Sequence, residues 1–389
     1  MYFRKLLLMG LLGQLSTFSV QAASFFEVLT HKDINQLGFL KDHGLTTGGW
    51  LSSGLTSNLE DFSRHNNFLI TFNDRSSELQ LNQLNIFLQK NVDLEATSWD
   101  LGGRVDLMYG ADSRFTQTLG WDRGLTHQES TTNLYDLAIP QVYLEVSAPF
   151  GRGVNAKIGH FYTILGQEVV SAPNNFFYSH AYSMQYGEPF THSGVLFSYA
   201  LNDNFTLTSG AVSGWDNFNE AFITGNYLGG ISWTNDAATD TVSMSIITGT
   251  IDHLSSDQRT LSSLVISHSF GNKFRYVFQH DFAYQFQNVQ YEKNVYWYSL
   301  GSYLFYDLTE TWAAGIRGEW FRDDNGTRLT LGVPGSYYEV TAGINWKPNS
   351  RFSVRPELRY DQAQARINAY NDHQSQYQIT VALDVVVNF

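Results

Sequence analysis

Charged side chains recur at every second position in several short stretches of this chain, a spacing that puts them on one face of a β-strand. Asp100, Arg104 and Asp106 alternate with Leu101, Val105 and Leu107. Arg317 and Glu319 alternate with Ile316, Gly318 and Trp320. Arg355, Glu357 and Arg359 stand against Phe352, Val354, Leu358 and Tyr360. Facing a water-filled passage, such rows would hydrate it and act on passing ions. With Lys157, Arg275, Asp281 and Asp384, the inferred inward set is balanced in sign. Balance predicts weak selectivity, because a strongly selective pore carries rings of one charge. The plainer reading of each residue is a lumenal ion pair with no transport role.

The segment 162–191 is too long for an ordinary connection, and its aromatics (Phe176, Phe177, Tyr178, Tyr182, Tyr186) argue against disorder. Its full charges are Glu168 and Glu188. Folded inward, it would form a constriction slightly favouring cations or neutral solutes; folded outward, it would be an external loop packed on its neighbours. Both readings stay open at this level. Ser179-His180 and His192-Ser193 offer nucleophile and base types. Adjacent residues on an extended chain point to opposite sides, and there is no GxSxG elbow, so neither pair makes a catalytic unit by itself. The eleven histidines lack metal-ligand spacing. No catalytic residue, cofactor or metal is expected.

These charges need strands to carry them, and the composition names the kind. The chain has 389 residues, 16% charged and 15% aromatic. Soluble domains carry roughly 25% charged residues, and this many aromatics excludes disorder. Past the N-terminus, no apolar run reaches the ~18 residues of a spanning helix. What recurs is a segment of about ten residues with alternating polarity, the mark of a membrane barrel strand. In 99–110 the apolar face runs from Trp99 to Tyr109, an aromatic at each lipid interface.

Sixteen such segments are expected: 44–56, 77–91, 99–110, 141–148, 154–161, 192–201, 205–214, 226–234, 240–249, 260–270, 274–285, 294–306, 312–321, 336–346, 352–360 and 376–389. Counts of 14 or 18 would fit the same pattern. Every second connection is the longer one, as in outer-membrane barrels with short periplasmic turns and long external loops. The fold expected is therefore an all-β transmembrane antiparallel up-and-down barrel over 44–389, with periplasmic termini.

Residues 1–22 read as a secretory signal, with Arg4 and Lys5 before a short apolar stretch and Val20 and Ala22 at the positions before a cut at Ala23. Residues 23–43 would form a short N-terminal arm. Removing 1–22 takes two positive charges and moves the formal charge from -13 to -15 (22 basic, 37 acidic). Nucleic acid is an improbable partner for so acidic a chain. The absence of cysteine suits an oxidising compartment. The final segment alternates to a terminal Phe389, which resembles the signal read by the barrel assembly machinery.

The stretch from Ser77 to Asn219 resembles the OmpL-like family of outer-membrane β-barrel porins. The matching residues are SELQLNQLNIFLQK (77–90), WDLGGRVDLMYGADSRFTQTLG (99–120), KIGHFYTILGQEVVSAPNNFFYSHAYSMQYGEPFTHSGVLFSYAL (157–201) and GAVSGWDNF (210–218). They lie within a stretch that spans about a third of the chain; the remainder agrees in pattern alone. The resemblance implies location in the outer membrane of a Gram-negative bacterium and channel activity, with no substrate or catalytic residue. The function expected is passive diffusion of small hydrophilic solutes. The alternative is an adhesin or ligand-binding surface barrel, and a barrel enzyme such as a lipase ranks last. Expected partners are outer-membrane lipid and lipopolysaccharide, the assembly machinery, small polar solutes and two further copies in a homotrimer. On this register, Leu107→Arg should disturb assembly far more than Met108→Arg.

Overall fold

The computed structural model describes residues 34–60, 66–94, 97–125, 133–218, 225–251, 257–288, 293–329 and 332–389. The expected signal segment 1–22 and the first part of the arm lie outside them. Alternating residues form sixteen strands in sequence order: β1 (Thr46–Asn58), β2 (Glu78–Lys90), β3 (Asp100–Gly110), β4 (Asp136–Ala148), β5 (Val154–Tyr162), β6 (Thr191–Ala200), β7 (Phe205–Val212), β8 (Asn226–Thr234), β9 (Asp240–Thr250), β10 (Gln258–Phe270), β11 (Phe274–Asn288), β12 (Lys293–Asp307), β13 (Trp312–Asp323), β14 (Gly335–Asn349), β15 (Phe352–Ala365) and β16 (Tyr377–Asn388). Each pairs antiparallel with its sequence neighbours. β1 pairs with β16 from Trp50↔Asn388 to Asn58↔Thr380 and closes the ring. Closure leaves no strand edge unpaired, which an apolar β16 would otherwise expose to aggregation.

The count of sixteen and the antiparallel closure agree with the sequence reading. The clearest difference is β4, which begins at Asp136 rather than 141. Pro140 reads as a strand breaker in sequence. Here it sits at a bulge: Asp106 pairs with Gln141 and Met108 with Ala138, so Ile139 and Pro140 together oppose Leu107. A bulge leaves one residue unpaired, and a proline loses no ladder bond there.

Ile316 is 45% exposed on the outer wall while Arg317 beside it is 0% exposed. This contrast repeats around the ring and sets aliphatic residues outward. Trp99 packs edge-on against Phe150, and Trp312 stacks on Trp346, at the end that carries the chain termini and short turns. Tyr298 with Trp320, and Tyr360 with Tyr377, mark the other end. The two girdles bracket an apolar band, the arrangement a bilayer demands.

The described part of the arm holds a single turn at Ile34–Gln36 and a short helix, α1 (Gly38–Asp42). Asn35 ties it to β1, donating to the Thr47 carbonyl at 3.1 Å and accepting from its N–H at 2.8 Å. Leu37 and Phe39 remain exposed, so this part lies beside the mouth rather than inside it.

Candidate functional site: the loop inside the barrel

The connection between β5 and β6, residues 163–190, turns inward. A buried loop must satisfy every backbone N–H and C=O without a sheet to do so. The partners here are the charged side chains on the inner wall. Arg355 donates to the carbonyls of Ala172 and Asn175, both at 2.8 Å. Glu357 accepts the N–H groups of Tyr178 (2.9 Å) and Ser179 (3.0 Å). Arg317 donates to the Ser179 carbonyl at 2.8 Å and Arg359 to that of His180 at 2.6 Å. Glu319 accepts from the N–H groups of Tyr182 and, at 2.8 Å, Ser183. Acids thus hold amides and arginines hold carbonyls along 172–183. Strands to either side add Gln83 on β2, which donates to Val170 and accepts from Ala172, and Trp297 on β12, which donates to Gly187.

Each arginine keeps an acidic partner on the wall. Arg317 pairs with Glu339 at 2.6 Å, Arg359 with Asp361 at 2.8 Å, and Arg355 with Asp384 at 2.8 Å. Charge is therefore neutralised locally, and each buried guanidinium has both a carboxylate and a loop carbonyl. Glu168 enters the same network from the loop. Its Oε1 meets Arg317 Nη1 at 2.7 Å, and its Oε2 accepts from the Ala181 N–H at 2.9 Å and lies 3.1 Å from His180 Nδ1. Burial works against ionisation there, yet Arg317 and His180 hold its carboxyl down at about 2. Glu188 is the opposite case. Burial, and the neighbouring Asp281, push its carboxyl well above the ordinary range. Gln279 bridges the two acids, donating to Glu188 at 2.5 Å and to Asp281 at 2.7 Å.

The wall is shaped for the loop as well as charged. Gly54, Gly315 and Gly343 sit at inward positions under Tyr178, Phe176 and Phe177. A Cβ at Gly54 would lie 2.6 Å from the Tyr178 ring, and one at Gly315 would lie 2.5 Å from the Phe176 ring. Beyond the charged layer, toward the long connections, an apolar layer of Trp297, Phe321, Tyr337 and Tyr182 packs across the lumen.

The sequence-derived residues therefore fall into four places. Arg317, Glu319, Arg355, Glu357 and Arg359 converge on the loop with Glu168 and are buried by it. Glu188 sits apart, toward Asp281. Arg104 and Asp106 pair with each other at 2.5 Å on a different part of the wall, with Gln89, Asn85 and Gln141 around them. Asp100 stands at the rim, bonded to Lys90 at 3.3 Å and the Asp93 N–H at 2.8 Å, where it fixes the β2–β3 turn. Two placements differ from what sequence position suggests. Glu168 is locked to Arg317 and His180 rather than presented to water. Met108 faces inward but not toward water, since it is fully buried with Phe72, Val170 and Met184, so an arginine there would meet a packed apolar cluster rather than solvent.

Glu339 and Asp361 were missed. The alternation of Arg355, Glu357 and Arg359 continues to Asp361, one residue past the expected strand end. Glu339 alternates with Thr341 and was legible in the same way. The wall glycines carried a weaker signal, glycine inside a strand where another chain segment comes close. The Ser179-His180 pair is consumed by the loop network, with Arg317 Nη2 donating to Ser179 Oγ at 3.2 Å. His192 bonds the Gly214 carbonyl and Thr163. A cross-strand contact joins His160 Nδ1 and Ser193 Oγ at 2.8 Å, but both are buried, and Thr118 stands at the other ring nitrogen where a triad would place a carboxylate.

Comparison with solved structures places the architecture among channel proteins of the outer membrane. The barrel superimposes on OmpF of Salmonella typhi, solved with daunomycin, at 12% identity and a TM-score of 0.61, covering 90% of this chain and 99% of that one. An anion-selective porin from Comamonas acidovorans gives 10% identity and 0.60, covering 89% and 99%. The outer-membrane channel DcaP of Acinetobacter baumannii gives 11% and 0.58, covering 89% and 97%. At such identities the likeness concerns the fold alone. No curated protein sequence matches the chain. A family model described as "Putative beta-barrel porin-2, OmpL-like" matches residues 44–389, the whole barrel, and the chain belongs to that family of outer-membrane porins.

Proposed function

We propose that the barrel passes small hydrophilic solutes by passive diffusion and that loop 163–190 is its constriction. The observation that carries this reading is the anchoring of the loop backbone by Arg317, Glu319, Arg355, Glu357 and Arg359. A loop packed outside the barrel would leave those charges to water. A sixteen-stranded ring is wide enough for an aqueous passage, and the inserted loop narrows it. Because the wall charges are paired with one another and with loop backbone, little net field is left to discriminate ions. Selectivity is then weak and set by size and hydrogen bonding. Arg104 and Asp106 form their own pair on another part of the wall, with Asp100 at the rim.

The mature chain begins near Ala23, after removal of 1–22, with the arm 23–43 leading into the barrel. Its termini face the periplasm, the side of the short turns. Lipid and lipopolysaccharide surround the apolar band, and β16 with Phe389 is read by the assembly machinery. OmpT of Vibrio cholerae has been solved in a trimer form on the same fold, which supports a homotrimer here. No catalytic role and no cofactor is assigned.

The test is planar-bilayer conductance of the refolded protein, with a reversal potential across a salt gradient. Discrete steps with a reversal potential near zero support the reading. A closed barrel without conductance, whose long loops capture a ligand or a cell surface, would replace it with the adhesin alternative.

A further inference from the structure

Between the docked loop and the β9–β12 wall lies a cavity of about 100 Å³, room for roughly three water molecules. Its two sides differ in chemistry. On the inner faces of β9 and β10, Thr241, Ser243 and Ser267 present hydroxyls that make no hydrogen bond to any described residue. Two neighbouring hydroxyls are already used by the loop: Ser245 donates to the Ile164 carbonyl at 3.2 Å, and Ser263 accepts the Gly166 N–H at 3.3 Å. On the loop, Gln167 borders the same space. The far side is aromatic. Phe176 and Phe305 lie with ring centroids 4.8 Å apart, and Tyr303 continues the surface, its ring 6.1 Å from that of Phe305.

Charge is nearly absent from this space. Glu168 borders it but spends both oxygens on Arg317, His180 and the Ala181 N–H. Arg275 borders it with its guanidinium 4.6 Å over the Phe305 ring. A passage sorting ions by sign would place opposed or ringed charges here. Instead the cavity offers hydroxyl partners on one side and ring faces on the other. Hydroxyls donate and accept equally well, so they match solutes that do the same. Ring faces are weakly negative and favour the C–H face of a solute that is polar at its edges.

From this juxtaposition we infer that the cavity is a binding track for small uncharged polyhydroxylated solutes, taking a glycerol whole or one edge of a hexose, bound by the hydroxyls of Thr241, Ser243 and Ser267 with its C–H face toward Phe176. The inference rests on the diffusion reading above and names its solute class. A solute held there narrows the remaining water path, so binding is read as a saturable fall in ion current.

The experiment records potassium chloride conductance of the refolded protein while glucose or glycerol is added, beside the triple variant Thr241→Val, Ser243→Ala, Ser267→Ala. These changes remove hydroxyls without narrowing the cavity. Glucose should reduce the wild-type current saturably. In the variant, the half-saturating concentration should rise by about tenfold, the equivalent of one or two lost hydrogen bonds, with sugar-free conductance little changed. Phe176→Leu should weaken glucose more than glycerol, which has less C–H surface to stack. A conducting barrel insensitive to sugar overturns the track alone, as does block by acetate or phosphate instead of glucose, which would make Arg275 an anion site. A wild-type barrel that never conducts overturns the diffusion reading and the track with it. Circular dichroism of each variant confirms that the barrel formed.

Discussion

Replacing Glu168 with glutamine should release the inserted loop while leaving the barrel standing. The carboxylate accepts from Arg317 at 2.7 Å on one oxygen and from the Ala181 N–H at 2.9 Å on the other. Glutamine keeps one acceptor and offers an NH₂ at the other position, so one of these donors loses its partner. The charge-assisted bond to Arg317, about 1.5–3 kcal/mol, becomes at best a neutral one of about 0.5–1.5 kcal/mol. A buried donor left unpaired costs a further ~1–3 kcal/mol. Arg317 retains Glu339, so the total stays below the ~3–5 kcal/mol expected when a buried charge is orphaned completely. A shift of about 2–4 kcal/mol changes the ratio of docked to released loop by roughly 30- to 1,000-fold. Single-channel recording should show a larger fraction of time in a high-conductance state. Hydrogen exchange should show lost protection confined to 163–190. The control is Glu145→Gln, the same charge change at a carboxylate that bonds Asn155 on the neighbouring strand and not the loop. Equal conductance and equal protection in Glu168→Gln and the parent would refute the reasoning. So would a loss of protection spread evenly over the strands, which would mean that Glu168 supports the wall rather than the loop.

Gly315→Leu should expel Phe176, whose ring already lies 2.5 Å from where a Cβ would stand; near-ultraviolet circular dichroism should fall while the far-ultraviolet β-signal persists. Ile316→Arg places a charge on the lipid face midway between Trp312 and Trp320 and should cost about 2–4 kcal/mol, read as a lower urea midpoint in vesicles; an unchanged midpoint would mean the wall faces the other way. Conductance should also rise with pH. Glu188 takes up a proton more readily when docked, so its contribution to docking is full below the ordinary carboxylate range and lost as pH climbs through its raised value. Glu168, held down at about 2, contributes above the ordinary range and loses that contribution as pH falls toward about 2. Docking is therefore firmest between these limits, and Glu188→Gln should reduce the alkaline rise in conductance recorded from pH 5 to 9.

The strands were legible because a membrane wall imposes the period-two alternation at nearly every position. Leu101 against Asp100, or Ile316 against Arg317, states which side is lipid. The misplaced start of β4 has a local cause, since only the partner strand shows that Pro140 falls on a bulge. The fate of the loop was not legible. Nothing in 163–190 records that its amides and carbonyls will be met by side chains more than a hundred residues away, such as Glu357 for Tyr178 and Ser179. Read alone, Arg317, Arg355 and Arg359 look like charges waiting for solvent. Their alternative role needs the ring closed first, so that β13, β14 and β15 face the loop across the lumen. The uncharged cavity beside the loop was hidden for the same reason: Ser243 and Ser267 mean little until the charged residues are seen to be occupied elsewhere.

The seam between β1 and β16 has a consequence for the order in which the molecule can be made. Ser52 and Asp384 touch across it although they lie 332 positions apart in the chain, and the Phe389 backbone exchanges hydrogen bonds with Gly49 at 2.8 and 2.9 Å. Every other strand can be laid on the one before it as a hairpin, a local step with modest entropy loss. The seam cannot, because its two halves are the first and last strands to be synthesised. The loop contacts inherit that delay, since Arg355, which holds Ala172 and Asn175 in place, is itself paired with Asp384 on the closing strand β16. Lumen filling is thus coupled to ring closure, and a nascent sheet of fifteen strands would carry both raw edges and an unanchored loop. Refolding should therefore proceed as one concerted event, with the native loop signal appearing together with closure and not before it.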